Sequence, residues 1–153
     1  MSLRIQIEEK YIKAIKSKNS EEANALRLIK SAIKDRDIAN RTSKNSTEID
    51  DQQILTLLQS LIKQRKDSID LFKVASRDDL VAKEQHEIDL INQFLPQQLN
   101  ELEVKKIINK IIEEKELSSL KDMGVLIKSI KVEYAGSVDM AMVGKIAKTL
   151  LSR

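Results

Sequence analysis

Pro96 is the single proline of a 153-residue chain that holds only three glycines. Proline and glycine are the residues that interrupt helices and admit sharp turns. A chain nearly free of both is expected to form long helices with short joints. The stretch around the proline, Phe94-Leu95-Pro96-Gln97-Gln98-Leu99-Asn100, then poses a choice. It either ends one helix or joins two parts with different roles. Charged residues make up 33% and aromatics 3%, and Leu, Ile, Lys, Glu and Gln dominate, which points to an all-α protein.

Apolar residues at helical spacing divide the chain into seven expected helices. The first runs from about Leu3 to Lys18 and the second from a Ser20 cap to about Asn40, with Ala25, Leu26, Ile29, Ala32 and Ile33 as its buried stripe. Residues 40–50 are polar and turn-rich, and an exposed loop is expected there. Asp50-x-x-Gln53 has the form of a capping box that opens a third helix, reaching about Val74. A short joint, Ser76-Arg77-Asp78, leads into a fourth helix over about Asp79–Phe94, with Leu80, Ile88, Ile91 and Leu95 on its apolar face. Asn100-x-x-Glu103 opens the fifth. Ser119-x-x-Asp122 opens the sixth, with Leu120, Met123, Ile127 and Ile130 turned inward and Tyr134-Ala135-Gly136 at its end. Asp139 caps the seventh, whose stripe is Val143, Ile146, Ala147 and Leu150.

Pro96 lacks an N–H and disfavours a helical Leu95, so the fourth helix must stop before it. Charge changes along the chain. Residues 1–46 carry 11 basic against 6 acidic side chains, residues 47–95 carry 6 against 10, and residues 96–153 carry 10 against 8. The expected organisation is therefore a four-helix N-terminal domain over residues 1–95 and a small three-helix C-terminal domain over residues 96–153, with Pro96 as hinge.

The sequence holds no cysteine, which excludes disulfides, a thiolate nucleophile and cysteine-ligated zinc or iron–sulfur sites. No apolar run approaches the length of a membrane span, and no membrane association is expected. The first 18 residues have no apolar signal-peptide core, and Glu8 and Glu9 oppose a transit peptide. A cytoplasmic protein is expected. Three scattered glycines cannot build a phosphate loop, and neither a metalloprotease helix motif nor a nucleophile elbow is present. No catalytic constellation stands out, and neither a cofactor nor a bound metal is expected.

Two groups of charged residues do stand out. Arg65 falls near the centre of the third helix's apolar stripe, and Glu84 and Glu87 near the centre of the fourth's. If these helices form an antiparallel hairpin about Ser76, Arg65 lies across from Glu87, Ser68 across from Glu84, and Phe72 meets Leu80. A buried charge needs a partner, so an Arg65–glutamate network that fixes the register is expected. The rival is that Glu84 and Glu87 form an acid–base pair or a metal site, but His86, between them in sequence, points off the stripe. The second group is basic. Arg27, Lys30, Lys34 and Arg41 are placed opposite the apolar stripe of the second helix. Lys121, Lys128, Lys131, Lys145, Lys148 and Arg153 follow in the last two. Such clusters are either plain solvated faces or contacts for RNA phosphates. With only Tyr11, Tyr134, Phe72 and Phe94 as aromatics there is no platform for base stacking, so any RNA would be held by shape and backbone.

These residues, taken in order, resemble the YqeY family. The run Leu61-Ile62-Lys63-Gln64-Arg65-Lys66-Asp67-Ser68-Ile69 carries the resemblance. It continues through Phe72, Ala75-x-Arg77-x-Asp79-Leu80, Lys83-Glu84-x-x-Glu87-Ile88 and Phe94-Leu95-Pro96-x-Gln98-Leu99. Leu26-Arg27, Ile33, Lys121-Asp122-Met123-Gly124 and Tyr134-Ala135-Gly136-x-x-Asp139 extend it over almost the whole chain. One departure is Ser137, where the family usually has arginine. The resemblance implies two helical domains similar to the helical and tail regions of the B subunit of tRNA-dependent amidotransferase. That enzyme amidates glutamate or aspartate misacylated on tRNA, and the family label is carbon–nitrogen ligase activity with glutamine as amido donor. This chain is too short for either the phosphorylating domain or the glutaminase. The resemblance thus implies a non-catalytic module that holds tRNA, or one that works with a protein of the translation apparatus. The alternative is a protein-interaction module with no RNA role.

Overall fold

The computed structural model describes residues 2–41 and 48–152. Most of the expected 40–50 loop, and Arg153, lie outside the described residues. Among the described residues there are seven α-helices, one short 3-10 helix and no strand. The helices are α1 (Leu3–Lys16), α2 (Ser20–Asn40), α3 (Asp51–Val74), α4 (Asp78–Asn92), α5 (Glu101–Glu114), α6 (Met123–Glu133) and α7 (Met140–Leu151), with the 3-10 turn Leu120–Asp122 before α6. The chain forms two compact units, Met1–Leu95 and Pro96–Arg153.

Local chemistry sets the helix ends. Lys18 takes a left-handed conformation, φ 59°, which turns the chain two residues before Ser20. The cap of α2 is therefore Asn19, whose side chain accepts the Glu22 N–H at 3.1 Å and donates to Glu22 Oε2 at 2.9 Å. Ser76 makes a similar reversal, φ 56°, between α3 and α4. α4 then starts at Asp78 without a side-chain cap, and Asp78 and Asp79 in its first turn suit the positive end of the helix dipole. At α3 the Asp50–Gln53 box closes in both directions, 2.8 and 2.9 Å. At α5 Asn100 accepts the Glu103 N–H at 2.8 Å.

In the N-terminal unit, Ile7, Leu26, Ile29, Ile54, Leu58 and Ile91 are almost fully buried. Each contributes roughly 1.5–3 kcal/mol by leaving water. Burial thins toward the α3–α4 joint: beyond Ile62 only Ile69 of α3 is buried, and α4 has no buried residue before Ile88. Phe72 and Leu80 are half-buried.

The C-terminal unit has its own core of Val104, Ile108, Leu126, Ile130, Val143 and Ala147. Here the expected inward face of the sixth helix is corrected. Leu126 and Ile130 are buried, Met123 and Ile127 are half-buried, and Leu120 is 48% exposed. Leu120 belongs to the 3-10 turn, which advances three residues per turn instead of 3.6 and so breaks the phase between it and α6. Asp122 holds this turn by accepting the N–H groups of Ser118 and Ser119 at 2.8 and 3.2 Å. These bonds lower its pKa.

Candidate nucleic-acid contacts

Of the α2 cations, Arg27 and Lys34 are exposed and Lys30 is half-buried, and Arg27 and Lys30 reach side chains of α1. Arg27 donates to Tyr11 Oη at 3.1 Å and to Asn24 Oδ1 at 3.0 Å. Lys30 pairs with Glu8 at 2.6 Å, and its ammonium stands 4.2 Å above the Tyr11 ring. Lys34 is exposed. With Arg4, Ser31 and Asp37 these residues line a groove of about 400 Å³ between the two helices. α1 supplies a tyrosine and a carboxylate where α2 presents Arg27 and Lys30. Arg41 is exposed at the end of α2.

One arrangement had no signal in the sequence. Arg4 donates both terminal nitrogens to the Asp37 carboxylate and one of them also to the Ile49 carbonyl at 3.1 Å. Asp37 in turn accepts the Ile49 N–H at 2.9 Å, and Asp51 accepts the Leu3 N–H at 3.2 Å. α1, α2 and the entry to α3 are thereby tied at one end. The Arg4 hydrogen bonds, and less strongly the Ile49 N–H, hold the Asp37 carboxyl below its ordinary pKa against the opposing effect of burial. Arg4 is raised by the same contact.

On α3 and α4 the structure brings Arg65 and Glu87 together. Arg65 Nε donates to Glu87 Oε2 at 2.9 Å, and Nη1 donates to the Leu61 carbonyl at 3.1 Å. Both side chains are nearly buried, 13% and 12% exposed. Glu84 is half-buried and makes no ion pair among the described residues, so the three-membered network is a pair. His86 is exposed, and the described residues hold no group of His, Cys, Asp and Glu able to ligate a metal.

In the C-terminal unit Lys121, Lys128, Lys131, Lys145 and Lys148 are all exposed. Lys128 and Lys131 share one side of α6, and Lys145 and Lys148 one side of α7, at the three-residue spacing that stacks helical neighbours. Lys128, Lys145 and Lys148 make no ion pair among the described residues. Pro96 is exposed. α4 has ended four residues earlier, and just after the proline the chain is fastened to the α6–α7 turn. The Leu99 N–H donates to the Ser137 carbonyl at 2.8 Å, and the Gln98 amide donates to the Gly136 carbonyl. Gly136 has φ 77°, a conformation that a side chain would strain. The Pro-x-Gln-Leu and Tyr-Ala-Gly motifs are therefore the two halves of one contact.

The family model described as Yqey-like protein matches residues 4–151. The chain belongs to this family. Among curated proteins, the Yqey-like chain is 36% identical over 103 residues to altered inheritance of mitochondria protein 41, mitochondrial, of Saccharomyces cerevisiae, an alignment covering 66% of this chain and 54% of that protein. It is 35% identical over 96 residues to a protein of Schizosaccharomyces pombe named as uncharacterized, covering 63% of this chain and 74% of that one. A Pyrenophora tritici-repentis protein, again named altered inheritance of mitochondria protein 41, is 32% identical over 123 residues, covering 77% and 65%. The chain thus spans about half the length of the first of these relatives. The names of the first and third overturn the expectation of a cytoplasmic protein, since they point to the mitochondrion. That expectation rested on the composition of the first 18 residues and on the lack of a long apolar run, neither of which selects one compartment. No helix among the described residues is long and apolar enough to cross a membrane.

Proposed function

We propose that this Yqey-like chain is a non-catalytic module that holds tRNA by its phosphate backbone through the lysines of α6 and α7. The observation that carries the proposal is the exposure of Lys128, Lys145 and Lys148 without a carboxylate partner, beside the exposed Lys131. A cation not engaged within the protein can release counter-ions from a nucleic acid when it binds. The resemblance to the tail of the tRNA-dependent amidotransferase supports tRNA as the nucleic acid, and the relatives' names support a mitochondrial setting.

If this is right, affinity for tRNA falls steeply between low and physiological salt. The combined variant Lys128→Glu, Lys131→Glu, Lys145→Glu and Lys148→Glu loses about tenfold or more and shows a shallower salt slope. Tight binding indifferent to both salt and these charges would sink the proposal. A second proposal, a protein-interaction module, is favoured by the exposed apolar residues Leu71 and Val74 beside the α3–α4 joint, 71% and 87% accessible. Recovery of a protein partner that survives nuclease treatment, with no tRNA bound, would decide for it.

A further inference from the structure

Along the α1–α2 groove, Arg27, Lys30 and Lys34 follow one another at steps of three and four residues, so they rise along one side of α2 by about 5 Å per step. That rise is close to the distance between successive phosphates of a nucleic-acid strand. Two of the three have no acidic partner: Arg27 is held by the neutral acceptors Asn24 and Tyr11, and Lys34 makes no ion pair among the described residues. Lys30 differs. Glu8 sits on it, yet the Glu8 side chain is 48% exposed and that of Lys30 35%. An ion pair this open adds little to stability. The Tyr11 ring, 4.2 Å below, keeps the ammonium in place whether or not Glu8 stays. Glu8 is thus a displaceable anion standing at the middle of a row of cations. Arg4, by contrast, is committed to Asp37 and takes no part.

We propose that the α1–α2 groove is a phosphate-binding site in which Glu8 stands in for the ligand. A phosphate displaces the Glu8 carboxylate from Lys30, while Arg27 offers its planar fork and Lys34 a point charge to the neighbouring phosphates. The phosphate belongs either to an RNA strand or to a free oligophosphate, and the site does not depend on the lysines of α6 and α7.

Titration calorimetry of the full chain at low salt, with inorganic tripolyphosphate and with tRNA, tests this. Arg27→Gln combined with Lys34→Gln weakens at least one probe by about tenfold. Glu8→Gln tightens the same probe by about threefold, more than Glu114→Gln, which makes the same charge change on α5. The gain disappears when Lys30→Gln is added. A response with tRNA assigns the site to RNA, and one with tripolyphosphate alone assigns it to a free oligophosphate. The second arm needs no RNA, so the site can stand if tRNA does not bind at all. If neither probe responds to the groove variants, or Glu8→Gln is no different from Glu114→Gln, or its gain survives without Lys30, the proposal is overturned.

Discussion

In the N-terminal unit, charged side chains join elements far apart in sequence. Arg4 reaches Asp37, the Leu3 N–H reaches Asp51, and Arg65 reaches Glu87. In the C-terminal unit Lys110 and Glu114 pair one turn apart on α5, both exposed, and the Leu99 and Gln98 donors run to backbone carbonyls. The first unit therefore engages many of its cations internally, while the second leaves lysines unengaged. A net charge per segment does not reveal this. Residues 1–46 are the most basic part of the chain, yet Arg4 and Lys10 there already hold carboxylates. The difference separates cations that hold the fold from cations available to a ligand.

The largest expected effect tests whether the two units stand apart. Leu126 is fully buried in the C-terminal core, and Leu126→Ala should cost about 3 kcal/mol. Amide exchange should then rise across residues 96–152 and hold steady across 2–95. Equal loss of protection in both would mean that the cores melt together.

A smaller effect concerns Arg65. Arg65→Leu leaves the Glu87 carboxylate nearly buried without its partner and should cost about 2 kcal/mol, a little under the range for wholly buried pairs. Replacing both residues by leucine should cost less than the single change, which a double-mutant cycle of denaturant midpoints would show. Lys110→Ala, at the exposed pair, should leave the midpoint unmoved. If the two pairs respond alike, the contrast between the units fails.

The smallest effect is a pH dependence. Asp37 has a folded pKa below its ordinary 3.8, so the folded state binds its proton less tightly than the unfolded chain does. Its stabilisation is complete above that ordinary value and fades as pH falls through the lower folded one. Asp37→Asn should lower the melting temperature by a few degrees at neutral pH. The gap to the parent chain should close in acid below the folded value, and a gap that stayed constant with pH would rule out the linkage.

What the sequence revealed and what it hid follow from distance along the chain. The Asp50–Gln53 and Asn100–Glu103 caps were legible because both partners lie within one turn. Arg65 and Glu87 were conspicuous as charges inside apolar stripes. The Arg4–Asp37 contact spans 33 residues and depends on how α1 crosses α2, which no local pattern encodes. Neither did the spacing of Arg27, Lys30 and Lys34 reveal that Tyr11 and Glu8 would meet them. Leu126 was missed because a 3-10 turn shifted the phase of the pattern it belongs to.

Ser137 contributes to the α6–α7 turn through its carbonyl, which receives the Leu99 N–H. A main-chain carbonyl is the part of a residue that mutation leaves in place. The neighbouring Gly136 has no such freedom, because its left-handed conformation ties it to one amino acid. The two adjacent positions are thus open to evolution in opposite ways. Codon changes at 136 break the turn, whereas changes at 137, from serine to the arginine usual in the family, alter the charge beside it and leave that bond in place.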